Sequence, residues 1–446
     1  MNIDGAIDRI ERSLANDKSK IIYLTAGAAG MFCGSCMHDN ALVRAMAEFG
    51  VDIQLVPTYT PIRTDEVDVS VDQVFFGGIN VYLQQKFPPL RWLPAFLDRF
   101  LDNPSLIQRL TARSIDMSSE ELGKLSVSML AGLQGNQRKE VNRLVAWLKN
   151  EKPEAIIFTN ALIGGCIPEI KKRVNCSVLV TLQGDDVFLD SLPDKYRSKC
   201  IESISKLVPS VDGFVVHTQF FKDYMSEYFG IPLEKISVTP LGIDVHEFSS
   251  LQSETDVPTL GYLARLSPEK GFDRLVDAFV ELKSQNAIPD LKMRVAGWLG
   301  SSNEEFAEQQ FGKISKAGLD GDFEYVGAIE RHEKIKFLSS IDVMSVPTKF
   351  LEPKGLYVLE GMACGVPCVQ PAHGSFPELI NETGGGLLFD PESDQNYLEN
   401  LVKVFSEDSL RKQLADSGRH AVHEKRNSHS MAQATIDVLK SVVGNL

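Results

Sequence analysis

The chain has 446 residues, of which 43% are hydrophobic and 24% are charged, a balance typical of globular proteins with two or three domains. Its net charge of −14 argues against a general nucleic-acid binder, because no basic surplus is present to neutralise phosphates. No apolar run reaches membrane-spanning length. The polar, acidic start lacks the features of a signal peptide, and the seven cysteines are scattered, so we expect a cytoplasmic protein with reduced thiols.

Short apolar runs alternate with amphipathic helical stretches along most of the chain, which predicts an α/β fold. The runs are apolar almost throughout, as in parallel strands that helices cover on both faces. The predicted strands of the first half are 21–25, 52–56, 155–159, 177–181, 213–217 and 236–239. The predicted strands of the second half are 259–263, 293–297, 323–327, 342–346 and 367–370.

The alternation breaks twice, at an aromatic and proline-rich insertion of about 60–150 and at a polar linker of about 245–258. We therefore predict an N-terminal domain at 1–248, a C-terminal domain at 249–424 and a final helix at 425–446 that packs back on the first domain. Ligands of doubly wound sheets bind beyond the carboxyl ends of the strands, so the expected active site is a cleft between the two sheets.

A glycine-rich turn containing "GMFCGSC" follows the first predicted strand. Cys33 and Cys36 have the spacing of a redox dithiol or of half a zinc site, and His38 is nearby. No second pair at a useful spacing offers the remaining zinc ligands, so we predict no metal. We predict instead that Gly30 and Gly34 let backbone N–H groups approach a phosphate or an acceptor, and that the thiols are a secondary feature.

The segment 350–370, "FLEPKGLYVLEGMACGVPCVQ", predicts a strand end, a loop, a helix and the next strand. The free N–H groups of such a helix start suit a phosphate or a sugar hydroxyl. Glu352 lies just before the helix, and Glu360 lies inside it among apolar side chains. Because an unpaired carboxylate is costly to bury, Glu360 needs a partner such as ribose hydroxyls; a salt bridge or a solvated face is the alternative.

A second segment, "ARLSPEKGFDRLVDAF", places Arg265 after a predicted strand and Lys270 before an amphipathic helix. Both cations can lie at the carboxyl edge of the sheet and bind a diphosphate. Taken alone, basic residues in a loop are more often surface charges.

These two segments, followed by "SFPELINETGGGLLFDPES", resemble in order and spacing the C-terminal half of retaining glycosyltransferases of the GT-B fold. This is the large nucleotide-sugar-dependent family with a Glu-x7-Glu motif, similar to glycogen synthase and sucrose synthase, and Glu352 and Glu360 have that spacing. The resemblance is strong over 235–425 and weaker over 20–60 and 155–235. It implies an α/β GT-B fold, with two Rossmann-like doubly wound domains facing across a deep cleft.

The resemblance also implies a retaining hexosyltransferase that takes a UDP-, GDP- or ADP-sugar and needs neither metal nor cofactor. Cationic side chains would stabilise the leaving diphosphate, as a metal does elsewhere. The catalytic residues that it implies are Arg265, Lys270, Glu352 and Gln183. The donor-binding residues that it implies are Glu360, Gly355, Leu356, Gly30, Gly34, Trp298 and Ile329.

Two positions depart from the family pattern. Gln183, in "VTLQGDDVFLD", stands where many members carry a histidine, and Lys354 stands where an aromatic residue is common. A glutamine cannot accept a proton, so the leaving phosphate would have to accept it. Asp185 and Asp186 are candidates for acceptor binding; the alternative is that they cap the following segment.

Other functions remain open at this point. A nucleotide-sugar epimerase or a glycosyl phosphorylase would use the same fold, and Gln183 is also consistent with a non-catalytic nucleotide-sugar binding protein. A dinucleotide oxidoreductase is the weakest alternative, because the glycine-rich turn lacks the G-x-G-x-x-G fingerprint.

The acceptor is a small molecule, a glycan or a lipid. In the insertion, "FPPLRWLPAFLDRF" at 87–100 has three interpretations: an acceptor lid, a membrane-surface segment for a lipid acceptor, or a helical subdomain with its aromatics packed inward. We favour the subdomain, and the oligomeric state stays open.

Overall fold

A computed structural model of the chain describes residues 20–27, 33–71, 74–77, 81, 84–85, 118–248 and 257–444. Contacts between Cα positions divide the chain into two compact units. Unit 1 comprises Met1–Val216, Lys222–Thr239 and Met431–Leu446, and unit 2 comprises His217–Phe221 and Pro240–Ser430. The sequence analysis placed the divisions at 248/249 and 424/425.

Unit 1 contains one sheet whose strand pairs are all parallel, in the order β2-β1-β3-β4-β5-β6. The strands are nearly continuous apolar runs, and their burial on both faces accounts for that pattern. Their bounds are β1 Ile21–Thr25, β2 Ile53–Pro57, β3 Ala155–Phe158, β4 Ser177–Thr181, β5 Gly213–Val216 and β6 Ile236–Val238.

Seven α-helices accompany this sheet in the described residues. They are α1 Gly34–Glu48, α2 Ser119–Leu130, α3 Arg138–Glu151, α4 Ile167–Arg173, α5 Asp185–Asp190, α6 Asp194–Leu207 and α7 Gln219–Phe229. Helices α2 and α3 belong to the predicted insertion. The aromatic stretch 87–100 lies outside the described residues, so its interpretation stays a prediction.

Unit 2 contains a second sheet of parallel pairs, in the order β12-β11-β10-β7-β8-β9. Its strands are β7 Thr259–Leu263, β8 Lys292–Ala296, β9 Phe323–Tyr325, β10 Val343–Met344, β11 Cys368–Pro371 and β12 Gly386–Phe389. The sequence analysis missed β12, because two glycines precede this four-residue run and a third begins it, which obscures the strand signal. The predicted α/β class with two parallel sheets is confirmed.

The helices that follow in the described residues are α8 Phe272–Ser284, α9 Glu304–Lys316, α10 Arg331–Leu338, α11 Leu356–Ala363, α12 Phe376–Thr383, α13 Asp394–Ser406, α14 Asp408–Lys425 and α15 Ser428–Val443. The last helix places Met431, Ile436 and Leu439 in the same buried cluster as Ile21 and Tyr23 of unit 1. None of the helices in the described ranges combines the length and the apolar character that crossing a bilayer requires.

Candidate active site

A short loop and one 3-10 turn hold Lys270 at the carboxyl edge of the unit 2 sheet. The turn Pro268–Lys270 follows β7, and Gly271 then begins α8 with a φ of +71°. A Cβ at Gly271 would lie 1.8 Å from the carbonyl oxygen of Pro347. Only glycine fits there, so the sequence pair Lys270-Gly271 fixes where the lysine emerges.

The lysine and the first glutamate of the predicted motif form a buried ion pair. Lys270 Nζ donates to Glu352 Oε2 at 2.8 Å, and the two side chains are only 14% and 7% exposed. The Lys270 ammonium also lies 4.7 Å from the ring centroid of Phe350 and 5.1 Å from that of Tyr357. The structure thus brings together two predicted residues from loops that follow neighbouring strands, β7 and β10.

Glu352 is bound by the start of α11 as well as by the lysine. Its Oε1 accepts the backbone N–H of Gly355 at 3.3 Å, and its Oε2 accepts the hydroxyl of Tyr357 at 3.2 Å. Burial raises the pKa of this carboxyl, but the charge and hydrogen bond of Lys270 and the Gly355 N–H outweigh it, so the pKa lies below its ordinary value. Glu352 is therefore an ionised carboxylate at neutral pH.

The second glutamate has a different partner. Glu360 Oε1 accepts a hydrogen bond from Lys334 Nζ at 2.7 Å, and both side chains are buried. Lys334 lies on α10, and nothing in the sequence of that helix predicted that the side chain of this lysine would be buried. The salt bridge that the sequence analysis kept as the alternative for Glu360 is therefore present, and ribose binding by this residue stays a prediction.

Lys354, one of the two departures from the family pattern, is buried near the Lys270–Glu352 pair. Its side chain is 8% exposed, and its charge contributes to the low pKa of Glu352. Gly355, with a φ of +74°, then begins α11 at Leu356. Two lysines and a helix N-terminus thus surround one carboxylate, an electropositive setting that favours an anionic ligand.

The other predicted donor residues of unit 2 lie in nearby loops. Arg265 is half-exposed and pairs with Glu269 at 3.5 Å, so it does not join the buried pair. Trp298 follows β8, is 39% exposed and lies over Gly300. Ile329 follows β9 and packs against the core cluster around Ile335 and Val358.

His373 is a residue near this site that sequence reasoning missed. Its Nε2 lies 3.0 Å from the carbonyl oxygen of Thr348, so the ring donates from Nε2. Burial lowers its pKa, which keeps the imidazole neutral. Among the described residues, Nδ1 has no hydrogen-bond partner and is an acceptor. The signal was its place in "PAHGSF", directly after β11, the strand next to β10.

Unit 1 contains a buried carboxylate that the sequence analysis also missed. Asp39, on α1, accepts hydrogen bonds from the hydroxyls of Tyr23, Thr25 and Thr159 at 2.6–2.7 Å. It also lies 3.1 Å from His38 Nδ1. Burial raises the pKa of Asp39, but the hydrogen bonds from His38 and the threonines outweigh it, so the pKa is lowered.

Gln183 belongs to this network. Its Nε2 donates to Asp39 Oδ1 at 2.9 Å and to the Thr159 carbonyl oxygen at 3.1 Å. These residues follow the neighbouring strands β1, β3 and β4, whose carboxyl ends meet at one edge of the sheet. The amide that replaces the expected histidine is thus oriented by a carboxylate.

The two acceptor candidates after Gln183 differ sharply. Asp185 accepts the backbone N–H groups of Ala161 at 2.7 Å and of Gln183 at 3.2 Å, so it holds the loop together. Asp186 is 4% exposed; burial raises its pKa to about 7, and the charge of Asp185 adds to this. Gly34 is the first residue of α1, while Gly30 lies outside the described residues.

The arrangement in unit 2 can bind an anion and the hydroxyl groups of a sugar. Lys270, Lys354 and the start of α11 supply positive charge, and Glu352 supplies a carboxylate that accepts hydroxyl hydrogen bonds. The described residues hold no group of three or more histidine, cysteine, aspartate and glutamate side chains arranged for a metal ion. The metal prediction itself stays untested.

Family models match two parts of the chain, and one of these parts contains the Lys270–Glu352 pair. Residues 246–421 match the family model described as glycosyl transferases group 1, and residues 127–247 match that described as glycosyltransferase family 4. A D-inositol 3-phosphate glycosyltransferase of Stackebrandtia nassauensis is 25% identical over 221 residues, which cover 47% of this chain and 50% of the relative. The chain likewise spans about half the length of other curated relatives with that name.

Solved structures agree on the fold. Sucrose-phosphate synthase from Thermosynechococcus elongatus has a TM-score of 0.69 at 16% identity, covering 95% of this chain and 99% of that one. HepE of Anabaena in complex with UDP has a TM-score of 0.67 at 14% identity, covering 95% and 100%. Residues 246–421 therefore resemble a glycosyl transferases group 1 domain and residues 127–247 a glycosyltransferase family 4 domain, and the chain has the GT-B fold.

Proposed function

We propose that the chain is a retaining glycosyltransferase that moves a hexose from a nucleotide-diphosphate sugar to an acceptor hydroxyl. The observation that carries this proposal is the buried Lys270–Glu352 pair at the start of α11, inside residues 246–421 that match the glycosyl transferases group 1 family. Its sugar-transferring relatives and the HepE complex with UDP and glucose support a nucleotide-sugar donor.

In the proposed reaction, the bond between the anomeric carbon and the diphosphate breaks, and charge develops on the leaving phosphate. Lys270 and the N–H groups at the start of α11 stabilise that charge, with Arg265 as a second cation. This requires Lys270 to shift its hydrogen bond from Glu352 to the donor. Glu352 then accepts hydroxyl groups of the sugar, and Glu360 contacts the ribose. The reaction as proposed needs no metal and no cofactor.

The proton of the acceptor hydroxyl goes to the leaving phosphate in this scheme. Gln183 cannot accept it, and its amide N–H groups are used by Asp39 and Thr159. The acceptor hydroxyl attacks the face from which the phosphate leaves, which retains configuration. The donor is a UDP-, GDP- or ADP-sugar; the acceptor is a small molecule, a glycan or a lipid, and peripheral membrane contact remains part of the proposal.

A thermal-shift panel tests the donor site. A ligand that binds only the folded state stabilises it by about 2.7 kcal/mol at 100 times its Kd, so the correct nucleoside diphosphate raises the melting temperature of the full chain. UDP, GDP and ADP are compared, with and without their sugars. No shift with any of them contradicts the proposal.

A non-catalytic nucleotide-sugar binding protein is the second candidate, which the engaged amide of Gln183 favours. It predicts the same thermal shift without any sugar transfer. Product analysis with a pool of acceptors separates the two, and it also separates a transferase from an epimerase or a phosphorylase, which leave different products.

A further inference from the structure

Cys33 and Cys36 are close neighbours that the proposed transfer does not use. Cys33 is the residue before α1 and is half-buried, and Cys36 lies in the first turn and is 1% exposed. Cys33 packs against the core cluster that contains Cys36. One cysteine is therefore partly exposed and the other is buried.

The two cysteines have the Cys-x-x-Cys spacing at the start of a helix. Cys33 is the N-cap residue of α1, and its carbonyl oxygen accepts the N–H of Met37 at 3.0 Å, so Cys36 lies in the first turn after it. Cys-x-x-Cys motifs and helix N-termini both favour reactive thiols. A hydrogen bond between the two thiols is the largest cause of the raised pKa of Cys36, ahead of burial. Both side chains also pack into one buried cluster, so the two thiols are neighbours in the reduced chain.

The remaining cysteines differ from this pair. Cys166, Cys200, Cys364 and Cys368 are buried, whereas Cys176 is half-buried like Cys33. Burial raises the pKa of Cys176 to about 11, so little thiolate forms there at neutral pH. Cys176 is therefore a matched control for exposure without a partner thiol.

We propose that Cys33 and Cys36 are an oxidation site that forms a reversible disulfide with a peroxide as oxidant. The Cys33 sulfur attacks one peroxide oxygen, the O–O bond breaks, and a sulfenic acid and water form. The Cys36 sulfur then attacks the Cys33 sulfur, the S–S bond forms, and the hydroxyl leaves with the Cys36 proton as a second water. Two thiols lose two electrons, and one hydrogen peroxide is reduced to two waters.

The site adjoins the buried carboxylate of unit 1. The hydroxyl of Thr25 donates to Asp39 at 2.7 Å and also contacts the Cys36 thiol, and Asp39 in turn holds Gln183. A disulfide at Cys36 would therefore be linked, through Thr25 and Asp39, to the amide that the resemblance places in the active site.

Mass spectrometry of the full chain tests the proposal independently of any transferase activity. The reduced protein is treated with hydrogen peroxide, free thiols are blocked with iodoacetamide, and the chain is digested with trypsin. Both cysteines fall in the single peptide 21–44, because no lysine or arginine lies between Lys20 and Arg44. The expected product is this peptide, unblocked and two hydrogens lighter, which dithiothreitol returns to the reduced mass.

Cysteine variants test whether the disulfide depends on Cys33. Cys33→Ser and Cys33→Ala should leave no disulfide in peptide 21–44, whereas Cys176→Ser should behave as the unmodified chain does. Circular dichroism of each variant confirms that it is folded. Two results overturn the proposal. In the first, peroxide oxidises Cys33 to a sulfinic acid while Cys36 remains a thiol that iodoacetamide alkylates. In the second, iodoacetamide alkylates both cysteines after the peroxide treatment, so neither was oxidised.

Discussion

The ammonium group of Lys334 donates to the carboxylate of Glu360 at 2.7 Å, and both side chains are buried. The second glutamate of the Glu-x7-Glu motif is therefore neutralised from a neighbouring helix, without a ligand. The first glutamate, Glu352, has its own cation in Lys270. Each carboxylate of the motif is thus held in a fixed position by a lysine.

Removing one charge of the Lys334–Glu360 pair should destabilise the chain strongly. Glu360→Gln removes the carboxylate to which the buried Lys334 ammonium donates, and Lys334→Met removes the cation from which Glu360 accepts; each should cost about 3–5 kcal/mol. The double variant buries neither charge and should recover most of that loss. Urea denaturation followed by circular dichroism measures all three.

The matched control is the exposed pair Lys206–Glu202, whose side chains are 71% and 65% exposed. Glu202→Gln should leave the free energy of unfolding nearly unchanged, because the pair is exposed to solvent. A Glu360→Gln variant as stable as Glu202→Gln would contradict the buried pair.

Asp186 should make the chain less stable as pH rises. Its pKa is raised to about 7 in the folded chain from about 3.9 when unfolded. Between these values the folded state binds more protons than the unfolded state, so the free energy of unfolding falls as pH increases. Asp186→Asn removes the titrating carboxyl and should raise the free energy of unfolding at pH 8 by an amount on the order of a few kcal/mol. At pH 4 the increase should be much smaller.

Urea denaturation of both proteins at the two pH values measures the difference. Asp194→Asn, in an exposed side chain at the start of the next helix, controls for a lost surface charge. An equal effect of Asp186→Asn at both pH values would contradict an abnormal titration of Asp186.

Gln183→Glu should place a second carboxylate against Asp39. The Gln183 amide donates to Asp39 at 2.9 Å, and an ionised glutamate has no proton to donate, so two like charges would meet in a buried site. One of them must take a proton, with a raised pKa. We expect lower stability than the unmodified chain at pH 8 and a smaller difference at pH 5, measured by thermal denaturation.

Gln433 provides the control, because its amide donates to Asp437 at 3.0 Å in an exposed position. Gln433→Glu makes the same chemical change in water, where screening leaves little effect. If Gln183→Glu is as well tolerated at pH 8 as Gln433→Glu, the Asp39 network does not hold Gln183 in the way described.

The sequence predicted the α/β class because buried parallel strands have a distinctive apolar pattern. The resemblance implied that Lys270 and Glu352 serve one donor site, and in the structure their side chains form an ion pair. Lys334 and Asp39 were not predicted. Each acts through a contact with a residue distant in the chain, Glu360 or Gln183, and a single lysine or aspartate in a helix looks like a surface charge until the packing is known.

The most direct test of the proposed transfer is release of nucleoside diphosphate from UDP-, GDP- and ADP-sugars by the full chain, with and without a chelator. Lys270→Ala removes the cation that pairs with Glu352, and Lys349→Ala, at an exposed lysine paired with Asp273, is its matched control. We predict release by the unmodified chain and Lys349→Ala, unchanged by chelator, and a loss of at least about 100-fold in Lys270→Ala, as for removal of one transition-state donor. Equal release by Lys270→Ala and the unmodified chain would contradict the central claim.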